Sequence, residues 1–348
     1  MRAVVTTAFG DPSVLEVQSV PRPESTAGDV IIAVAFSGVC RHDLLTRSGA
    51  FPYVVTPRIQ GHQVTGRVVE IGVGVDPDLL GRDVTTMLHV GCGSCSSCVA
   101  GDQSRCSAQR PLFIGDELDG TYAEYLRVPA GIVVPLPPGI DLAAGAVANC
   151  TFGTAWHAIV ARGRFSAGDA VAVTGATGGV GFHALKLLRY LGIEAIAVTS
   201  REAAREQLVL AGASHVVVAA AHEWADVLKR SRPARLQGVL DCVGGASCDQ
   251  ALRAVMPGGT VVQVGNVAGT TAVVTPALLI LKEMQLIGSK SATRQELVQV
   301  LDLMAQRAID VEVAEVVDLD GIASAHAAME AGESSVGRIV VRVGAEAS

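Results

Sequence analysis

The chain has 348 residues, 27 basic and 34 acidic, and a formal net charge of −7. This mild acidity argues against nucleic acid as a partner, which usually requires a basic surface, so we predict no nucleic-acid partner. Apolar residues make up 49% of the chain and charged residues 18%, which supports a large buried core and excludes extended disorder. The length suggests two domains or one large domain.

Two uncharged stretches, 142–161 and 254–281, are long enough to raise the question of a membrane span. Both contain polar residues or prolines, such as Asn149 and Pro276, which a spanning helix of about 20 apolar residues avoids. We therefore predict that both are buried segments of a globular protein. The N-terminal residues show no secretion signal, so we predict a cytoplasmic protein with no membrane partner.

The first 140 residues consist of short apolar runs separated by glycine and proline, which predicts a compact β-rich domain. Predicted strands lie at 30–34, 66–71 and 132–136. From residue 170 the pattern changes to alternating strands and helices, which predicts an α/β domain with a doubly wound parallel sheet. The predicted strands there are 170–175, 195–200, 215–220, 238–244, 258–265 and 285–289, with helices at 180–192 and 201–213. The tail adds helices at 294–307 and 322–332 and a strand at 337–343.

Four cysteines lie close together in the β-rich part, with two, two and seven residues between them: Cys92, Cys95, Cys98 and Cys106. Four thiolates in a loop rich in glycine and serine are typical of a closed tetrahedral zinc site, which stabilises a fold and does no chemistry. An iron–sulfur cluster or a set of free cysteines are the alternatives.

A glycine-rich turn follows the first strand of the α/β part and opens a helix, the context that a dinucleotide-binding site requires. Ala176 stands where the first fingerprint glycine is expected. A helix N-terminus at this turn would face the pyrophosphate. The residues that we expect at the cofactor are Gly178, Gly179, Val180 and Gly181.

The end of the second strand of the α/β part carries Ser200 and Arg201, with Arg205 one turn later. An NAD site usually has an acidic residue here, which binds the ribose 2′-hydroxyl. Hydroxyl and guanidinium groups suit a 2′-phosphate, so we predict that NADP(H) is preferred over NAD(H). The alternative is that both arginines only solvate a helix.

Several segments together resemble one family over essentially the whole chain. They are MRAVV, GVCRHD, GHQVTGRVVEIG, the four-cysteine loop, YAEYLRVP, ANCTFGTAWHA, the glycine turn and VGRIVV. The chain resembles the zinc-dependent medium-chain dehydrogenase/reductase superfamily of the alcohol dehydrogenase type. Within it, CRHDLL, VAVTGATGGVGFHALKLLRYLG and ALLILKEMQLIGSKSATR are most similar to a branch that includes acryloyl-CoA reductases.

The resemblance implies two domains with a cleft between them. A GroES-like catalytic domain would comprise residues 1–153 and 291–348, with a structural-zinc lobe at about 91–107. A Rossmann domain would comprise residues 154–290. Members of this family are usually homodimers or homotetramers that act on small molecules, so both properties are expected here.

The resemblance also assigns site residues. Cys40, His62 and Cys150 match the ligands of a catalytic zinc, which with the four-cysteine site makes two Zn²⁺ per chain. Taken singly, each would be a packed cysteine or histidine. Asp43 matches the carboxylate that orients the ligating histidine. The residues that match cofactor-contacting positions are Thr154 beside the nicotinamide, Val264, Gly265 and Asn266 near its amide, and Arg41 and Arg338 at the phosphates.

Two positions depart from the family pattern. Gln63 replaces the glutamate that usually follows the ligating histidine, which removes a negative charge near the metal. His42 stands where a serine or threonine usually starts a proton relay, two residues after the first ligand. An imidazole can relay a proton, and the alternative is that His42 only packs at the cleft wall.

The function expected first is a zinc-dependent, NADPH-preferring oxidoreductase that interconverts an alcohol and an aldehyde or ketone. The second is reduction of a conjugated carbon–carbon double bond, as in an acryloyl-CoA reductase. The third is a non-catalytic protein that keeps the fold and the cofactor.

Overall fold

The computed structural model describes residues 1–231, 235–266, 269 and 271–344. The chain divides into two compact units. Unit 1 consists of Met1–Cys150 and the segment from Ala292 onward, and unit 2 is Thr151–Ser291. Among the described residues, no helix has both the length and the apolar character that a membrane crossing requires.

Unit 1 is β-rich, as predicted. Its strands are β1 (Arg2–Thr6), β2 (Leu15–Ser19), β3 (Asp29–Gly38), β4 (Arg58–Ile59), β5 (Val64–Ile71), β6 (Asp83–Thr86), β7 (His89–Val90), β8 (Leu112–Phe113), β9 (Tyr125–Pro129) and β10 (Val133–Pro135). Its first three helices are α1 (Arg41–Arg47), α2 (Ser96–Val99) and α3 (Leu142–Ala148). A π-helical turn, Asn149–Gly153, follows α3 directly.

Unit 2 begins within that turn and alternates strand and helix. Its strands are β11 (Ala170–Thr174), β12 (Glu194–Thr199), β13 (Ala213–Val218), β14 (Leu236–Asp241), β15 (Val255–Gln263) and β16 (Gln285–Gly288). Its helices are α4 (Thr154–Trp156), α5 (Gly179–Tyr190), α6 (Arg205–Leu210), α7 (Trp224–Ser231), α8 (Ala246–Ala254) and α9 (Pro276–Lys282). A second π-helical turn spans His157–Arg162.

The segment from Ala292 onward returns to unit 1 and supplies α10 (Arg294–Ala305), β17 (Val313–Asp318), α11 (Ile322–Ala331) and β18 (Arg338–Arg342). The main sheet of unit 1 has the order β10-β6-β5-β3-β18-β17, and β9 also pairs with β3. Because side chains alternate along β3, Val30, Ile32 and Val34 all point into one hydrophobic core. Leu297 and Leu301 of α10 pack into the same core. The C-terminal segment is therefore part of the same hydrophobic core.

The sheet of unit 2 has the order β13-β12-β11-β14-β15-β16, and every neighbouring pair is parallel. In chain order this is 3-2-1-4-5-6, the Rossmann arrangement, so the predicted α/β fold with a doubly wound sheet is confirmed. The order reverses at β11. Ligands of such sheets bind outside the carboxyl ends of the strands at this reversal, which is where the glycine turn lies.

Three details differ from the sequence prediction. The helix predicted from residue 201 begins at Arg205, because Glu202–Ala204 form a 3₁₀ turn. The stretch 254–281 is not buried throughout, since Ile280 and Leu281 of α9 are 73% and 80% exposed. The strand β17 was not predicted; it pairs in parallel with β18.

Candidate metal centres and nucleotide-binding site

The four-cysteine loop brings its four sulfurs within 4.8 Å of one another. The Sγ atoms of Cys92 and Cys98 lie 4.0 Å apart, and those of Cys95 and Cys106 lie 3.9 Å apart. Ligands at about 2.3 Å from a tetrahedral zinc ion are about 3.8 Å apart, so the loop fits this ion. A Cβ at Gly91 would lie 2.5 Å from the Cys98 sulfur, so only glycine leaves room for that thiol.

Backbone N–H groups of the same loop point at the sulfurs. The N–H groups of Cys95 and Cys92 donate to the sulfurs of Cys92 and Cys106, at 3.3 and 3.4 Å. Hydrogen bonds from the backbone of Cys98 and Ser107 lower the pKa of Cys95 to about 5. Hydrogen bonds from Ser94 and Cys95 also lower the pKa of Cys92, whereas burial raises that of Cys98, so the backbone favours the zinc-binding thiolate form at Cys92 and Cys95.

A second group joins three residues that are far apart in sequence. One potential ligand atom from each of Cys40, His62 and Cys150 lies within 4.8 Å of the others. The sulfurs of Cys40 and Cys150 are 3.9 Å apart, again close to the tetrahedral zinc spacing. Cys40 precedes α1, His62 precedes β5 and Cys150 lies in the π-helical turn after α3. Three ligands leave a fourth position of a tetrahedral ion open, as in catalytic zinc sites.

Asp43 orients the histidine of this group. Its Oδ1 accepts a hydrogen bond from His62 Nδ1 at 2.9 Å, which leaves Nε2 as the nitrogen available to a metal. Its Oδ2 accepts from the backbone N–H of Cys40 at 2.8 Å, so the carboxylate also caps α1. Burial alone would lower the pKa of His62, but Asp43 and Cys40 together raise it to about 10.

Arg338 supplies positive charge beside the thiols. Its guanidinium donates to the Val39 carbonyl at 3.1 Å and to the Cys150 sulfur at 3.8 Å. The hydrogen bond with Cys150 and the nearby Arg338 hold the pKa of Cys40 well below its ordinary value. Arg338 was predicted at the cofactor phosphates; the structure places it against the thiol group, and phosphate contact stays a prediction.

The imidazole of His42 is held by a buried carboxylate. His42 Nε2 lies 2.9 Å from Asp116 Oδ2, and Thr46 donates to Asp116 Oδ1 at 2.7 Å. The side chain of Asp116 is only 2% exposed. The ring of His42 is stacked on Phe51 at 4.8 Å and contacts Phe113 at 4.6 Å between centroids. His42 is therefore held by two aromatic rings and, at one nitrogen, by a carboxylate.

Gln63 lies beside this centre, buried, and neither its amide oxygen nor its amide nitrogen has a hydrogen-bond partner among the described residues. A Cβ at Gly38 would lie 2.8 Å from its Oε1, so the amide is packed against the backbone of β3. Arg41 donates to the Met329 carbonyl at 3.0 Å. The catalytic role of Gln63 and the phosphate contact of Arg41 stay predictions.

In unit 2 the glycine turn connects β11 to the N-terminus of α5. Gly175 has a φ of +61°, and Gly178 is the N-cap of α5, with no side chain capping it. A Cβ at Gly181 would lie 2.5 Å from the Gly175 carbonyl oxygen, so glycine is required for this close packing. The first N–H groups of a helix have no intrahelical acceptors, which makes Gly179, Val180 and Gly181 suited to bind phosphate.

The neighbouring strand ends carry the other predicted cofactor residues. The N–H groups of Val264 and Gly265 both donate to the Asp241 carbonyl at the end of β14, at 2.9 and 3.2 Å. The buried Asp241 carboxylate accepts from Thr174 of β11 at 2.5 Å, which joins the two strands at the reversal of the sheet. Asn266 follows directly, and Thr154 begins α4 in the same unit. Nicotinamide contact stays a prediction for these residues.

The three residues predicted to select NADP(H) differ in their exposure and in their hydrogen bonds. Ser200 is exposed and Arg201 half-buried at the end of β12. Arg205 instead donates to Glu202 and, at 3.1 Å, to the Val216 carbonyl. A phosphate contact from Arg205 would require breaking these bonds. Arg201 lies nearer the end of β12, where a dinucleotide site of this fold contacts the ribose, so it is the arginine to test first.

Two residues of unit 1 were missed by sequence reasoning. Asp116 holds His42, and Tyr122 donates from its hydroxyl to Asp43 Oδ2 at 2.9 Å. The available signal for Asp116 was weak: an acidic residue directly after an apolar run. Tyr122 begins the segment YAEYLRVP, which the family resemblance included without giving it a role.

Comparisons with known proteins agree with this architecture. Residues 26–138 match the family model described as the alcohol dehydrogenase GroES-like domain, and residues 179–306 match the one described as zinc-binding dehydrogenase. An acryloyl-coenzyme A reductase from Metallosphaera sedula is 32% identical over 92% of this chain and 94% of its own length. An alcohol dehydrogenase from Geobacillus stearothermophilus is 29% identical over 99% of this chain and 100% of its own length.

The crystal structure of AibC is similar over 99% of this chain and 96% of its own, with 36% identity and a TM-score of 0.90. These matches confirm the GroES-like and Rossmann domains. They support an oxidoreductase rather than a non-catalytic binding protein. The chain belongs to the zinc-type medium-chain dehydrogenase/reductase superfamily, near the acryloyl-CoA reductases.

Proposed function

We propose that this protein is a zinc-containing, NADPH-dependent reductase of conjugated carbon–carbon double bonds in acyl thioesters. The His42–Asp116 pair is the observation that carries the proposal. Two relatives that are named acryloyl-coenzyme A reductases support an acyl thioester as the substrate. The alcohol–carbonyl interconversion that the resemblance first suggested is the second candidate.

The two reactions differ in where the proton goes. Reduction of a carbonyl group ends with a proton on the oxygen, and the family usually begins the proton path with a hydroxyl at the position of His42. Here that position carries an imidazole whose Nε2 is bonded to Asp116, a carboxylate in the interior of unit 1. Conjugate reduction adds a hydride to the β carbon and a proton to the α carbon, and the carbonyl oxygen is not protonated in the product. A proton relay that runs from His42 to the buried Asp116 is therefore compatible with conjugate reduction.

The residues of the second metal group fit zinc by their spacing and chemistry, and Cys40, His62 and Cys150 would hold it. When bound, zinc would supply a Lewis acid that polarises the thioester carbonyl, and the nicotinamide would supply the hydride. Asp43 keeps His62 oriented through Nδ1. Phe51 and Phe113 pack against the His42 ring, which stays partly exposed.

A substrate comparison tests this proposal. The purified protein with NADPH is expected to reduce acryloyl-CoA or crotonyl-CoA with a kcat/KM roughly a hundredfold above that for aldehydes and ketones of similar length. NADPH oxidation at 340 nm measures both. Aldehyde reduction without enoyl reduction would contradict it and establish the second candidate, which the full-length similarity to alcohol dehydrogenases supports.

We further propose that NADPH is preferred over NADH, and Arg201 is the residue to test. Arg201→Ala is expected to weaken NADPH binding roughly 10- to 100-fold and NADH binding little, because a charged hydrogen bond to phosphate contributes about 1.5–3 kcal/mol. Fluorescence titration with both nucleotides measures the difference. Arg205→Ala, the matched control, should have a smaller effect, since Glu202 and Val216 already bind that guanidinium. An equal loss for both nucleotides would contradict the assignment.

We also propose a homo-oligomer. Two features of unit 2 support it: β16 is an edge strand, and Ile280 and Leu281 of the preceding helix α9 are exposed. An open strand edge and an exposed apolar patch are both features that association commonly covers. Sedimentation equilibrium measures the mass, and a monomer at micromolar concentration would refute this.

A further inference from the structure

We propose that Tyr122 is a positioning residue for the second metal group: its hydroxyl fixes the Asp43 carboxylate, and Asp43 in turn fixes His62. This inference rests on the proposed metal centre at Cys40, His62 and Cys150. Tyr122 lies 79 residues from Asp43 in sequence, and its Oη donates to Asp43 Oδ2 at 2.9 Å. Both side chains are buried.

The need for this hydroxyl follows from the donors around Asp43. Oδ1 receives one hydrogen bond, from His62 Nδ1, and Oδ2 receives two, from the Cys40 N–H and from Tyr122. A buried carboxylate is stable only when its oxygens are hydrogen-bonded. Without the tyrosine hydroxyl, Asp43 Oδ2 would keep only the hydrogen bond from the backbone N–H of Cys40. Cys40 is itself a proposed metal ligand, so this bond does not hold Asp43 independently of the ligands. Tyr122 is the one side-chain donor to Oδ2 among the described residues, and it comes from outside the ligand segments.

Backbone hydrogen bonds hold Tyr122 in place. The backbone N–H of Tyr122 donates to the Gln60 carbonyl at 3.0 Å, and its backbone carbonyl accepts from the Val4 N–H at 2.8 Å. The ring packs over Gly61, the residue directly before His62. A Cβ at Gly61 would lie 2.7 Å from the Tyr122 Cδ1 atom, and Gly61 has a φ of +90°. The glycine therefore admits the ring against the same short segment that carries the ligating histidine.

The hydroxyl is kept in the form that donates. Burial raises the pKa of Tyr122 well above its ordinary value, and the negative charge of Asp43 raises it further. The ring also makes an edge contact with His326 of α11, with 6.2 Å between centroids. Tyr122 is fully buried between the backbone of Val4 and Gln60 and the side chain of His326, so its ring has little freedom to rotate away from Asp43.

Tyr122→Phe tests the inference, because it removes the hydroxyl and keeps the ring. Partners that orient a ligating histidine typically change metal affinity about 10- to 100-fold when removed. We expect the zinc affinity of the Cys40–His62–Cys150 group to fall by about tenfold, with the four-cysteine site unchanged. Competition with a chromophoric chelator resolves the two zinc ions by their release, and Co²⁺ substitution reports the second group through its thiolate charge-transfer and d–d bands. Tyr125→Phe, a half-buried tyrosine of the same segment, is the matched control and should behave as wild type.

A double-mutant cycle with Asp43→Asn shows whether Tyr122 acts through Asp43. If it does, the effect of Tyr122→Phe on zinc release should disappear in the Asp43→Asn background. Unchanged zinc affinity in Tyr122→Phe would overturn the inference, and so would equal loss of zinc from both sites, which would make Tyr122 a general packing residue. If wild-type protein binds only one zinc per chain, the proposed metal centre fails instead, and the two failures are distinguishable.

Discussion

Replacement of Cys150 by serine is expected to remove one zinc ion per chain and to lower kcat for the enoyl substrate by roughly three orders of magnitude. The physical reason is charge. Serine does not ionise at neutral pH, so the ligand set would lose one of two thiolates. Polarisation of a carbonyl by a metal contributes several kcal/mol to transition-state stability, and each 1.4 kcal/mol is about a tenfold change in rate. Elemental analysis and steady-state kinetics measure the two effects.

Cys248→Ser is the matched control, because Cys248 is buried in α8 and belongs to neither cysteine group. It should retain two zinc ions and most of the activity. The Cys150→Ser variant should also keep most of the NADPH affinity of wild type, since the glycine turn and most of the other predicted nucleotide-binding residues lie in unit 2. Full activity in a Cys150→Ser protein with one zinc would show that the reaction proceeds without metal at this group.

Replacement of Cys98 by serine is expected to act on stability rather than on chemistry. Cys98 is buried in the four-cysteine loop, and the variant should lose the other zinc ion. Metal binding to such loops contributes up to about 10–16 kcal/mol in small peptides, and even about 5 kcal/mol would lower the Tm of a domain of this size by roughly 10 °C or more. Calorimetry measures the shift.

Below its lowered Tm, the Cys98→Ser variant should keep zinc at Cys40, His62 and Cys150 and a near-normal kcat. Ser94→Ala provides a control in the same loop, since Ser94 contributes a hydroxyl near Cys92 but no metal ligand. A variant with an unchanged Tm would exclude a stabilising role for this site. One that loses kcat at low temperature would show that the loop also takes part in the reaction.

Local spacing made one metal site predictable from sequence. The four cysteines lie within 15 residues, so their approach requires only a loop, and the structure brings all four sulfurs together. Cys40 and Cys150 lie 110 positions apart, with His62 between them, and no rule of spacing groups the three residues. The family resemblance identified them, and the geometry brings them together. The strands of unit 2 were also predictable, because buried parallel strands are continuous apolar runs.

Asp116 and Tyr122 could not be predicted, for a physical reason. Each acts through one hydrogen bond to a residue more than 70 positions away, and the residue type alone does not indicate the partner. Strand β17 was missed because its sequence, VAEVVD, alternates weakly and is half exposed. The sequence predicts burial of the apolar residues of α9 that the structure exposes, because composition does not show whether an apolar face is covered within one chain.

The division of unit 1 into two sequence segments affects how the protein is made. Strand β18 lies between β3 and β17, and Leu297 and Leu301 complete the core around β3. Residues of unit 2 leave the ribosome as one continuous segment and can fold while synthesis continues. The β-rich unit has to wait for its last strands. The nucleotide-binding fold can therefore form before the β-rich unit is complete. Cys150 would remain open to oxidation or to a wrong metal until β18, which carries its neighbour Arg338, has been synthesised.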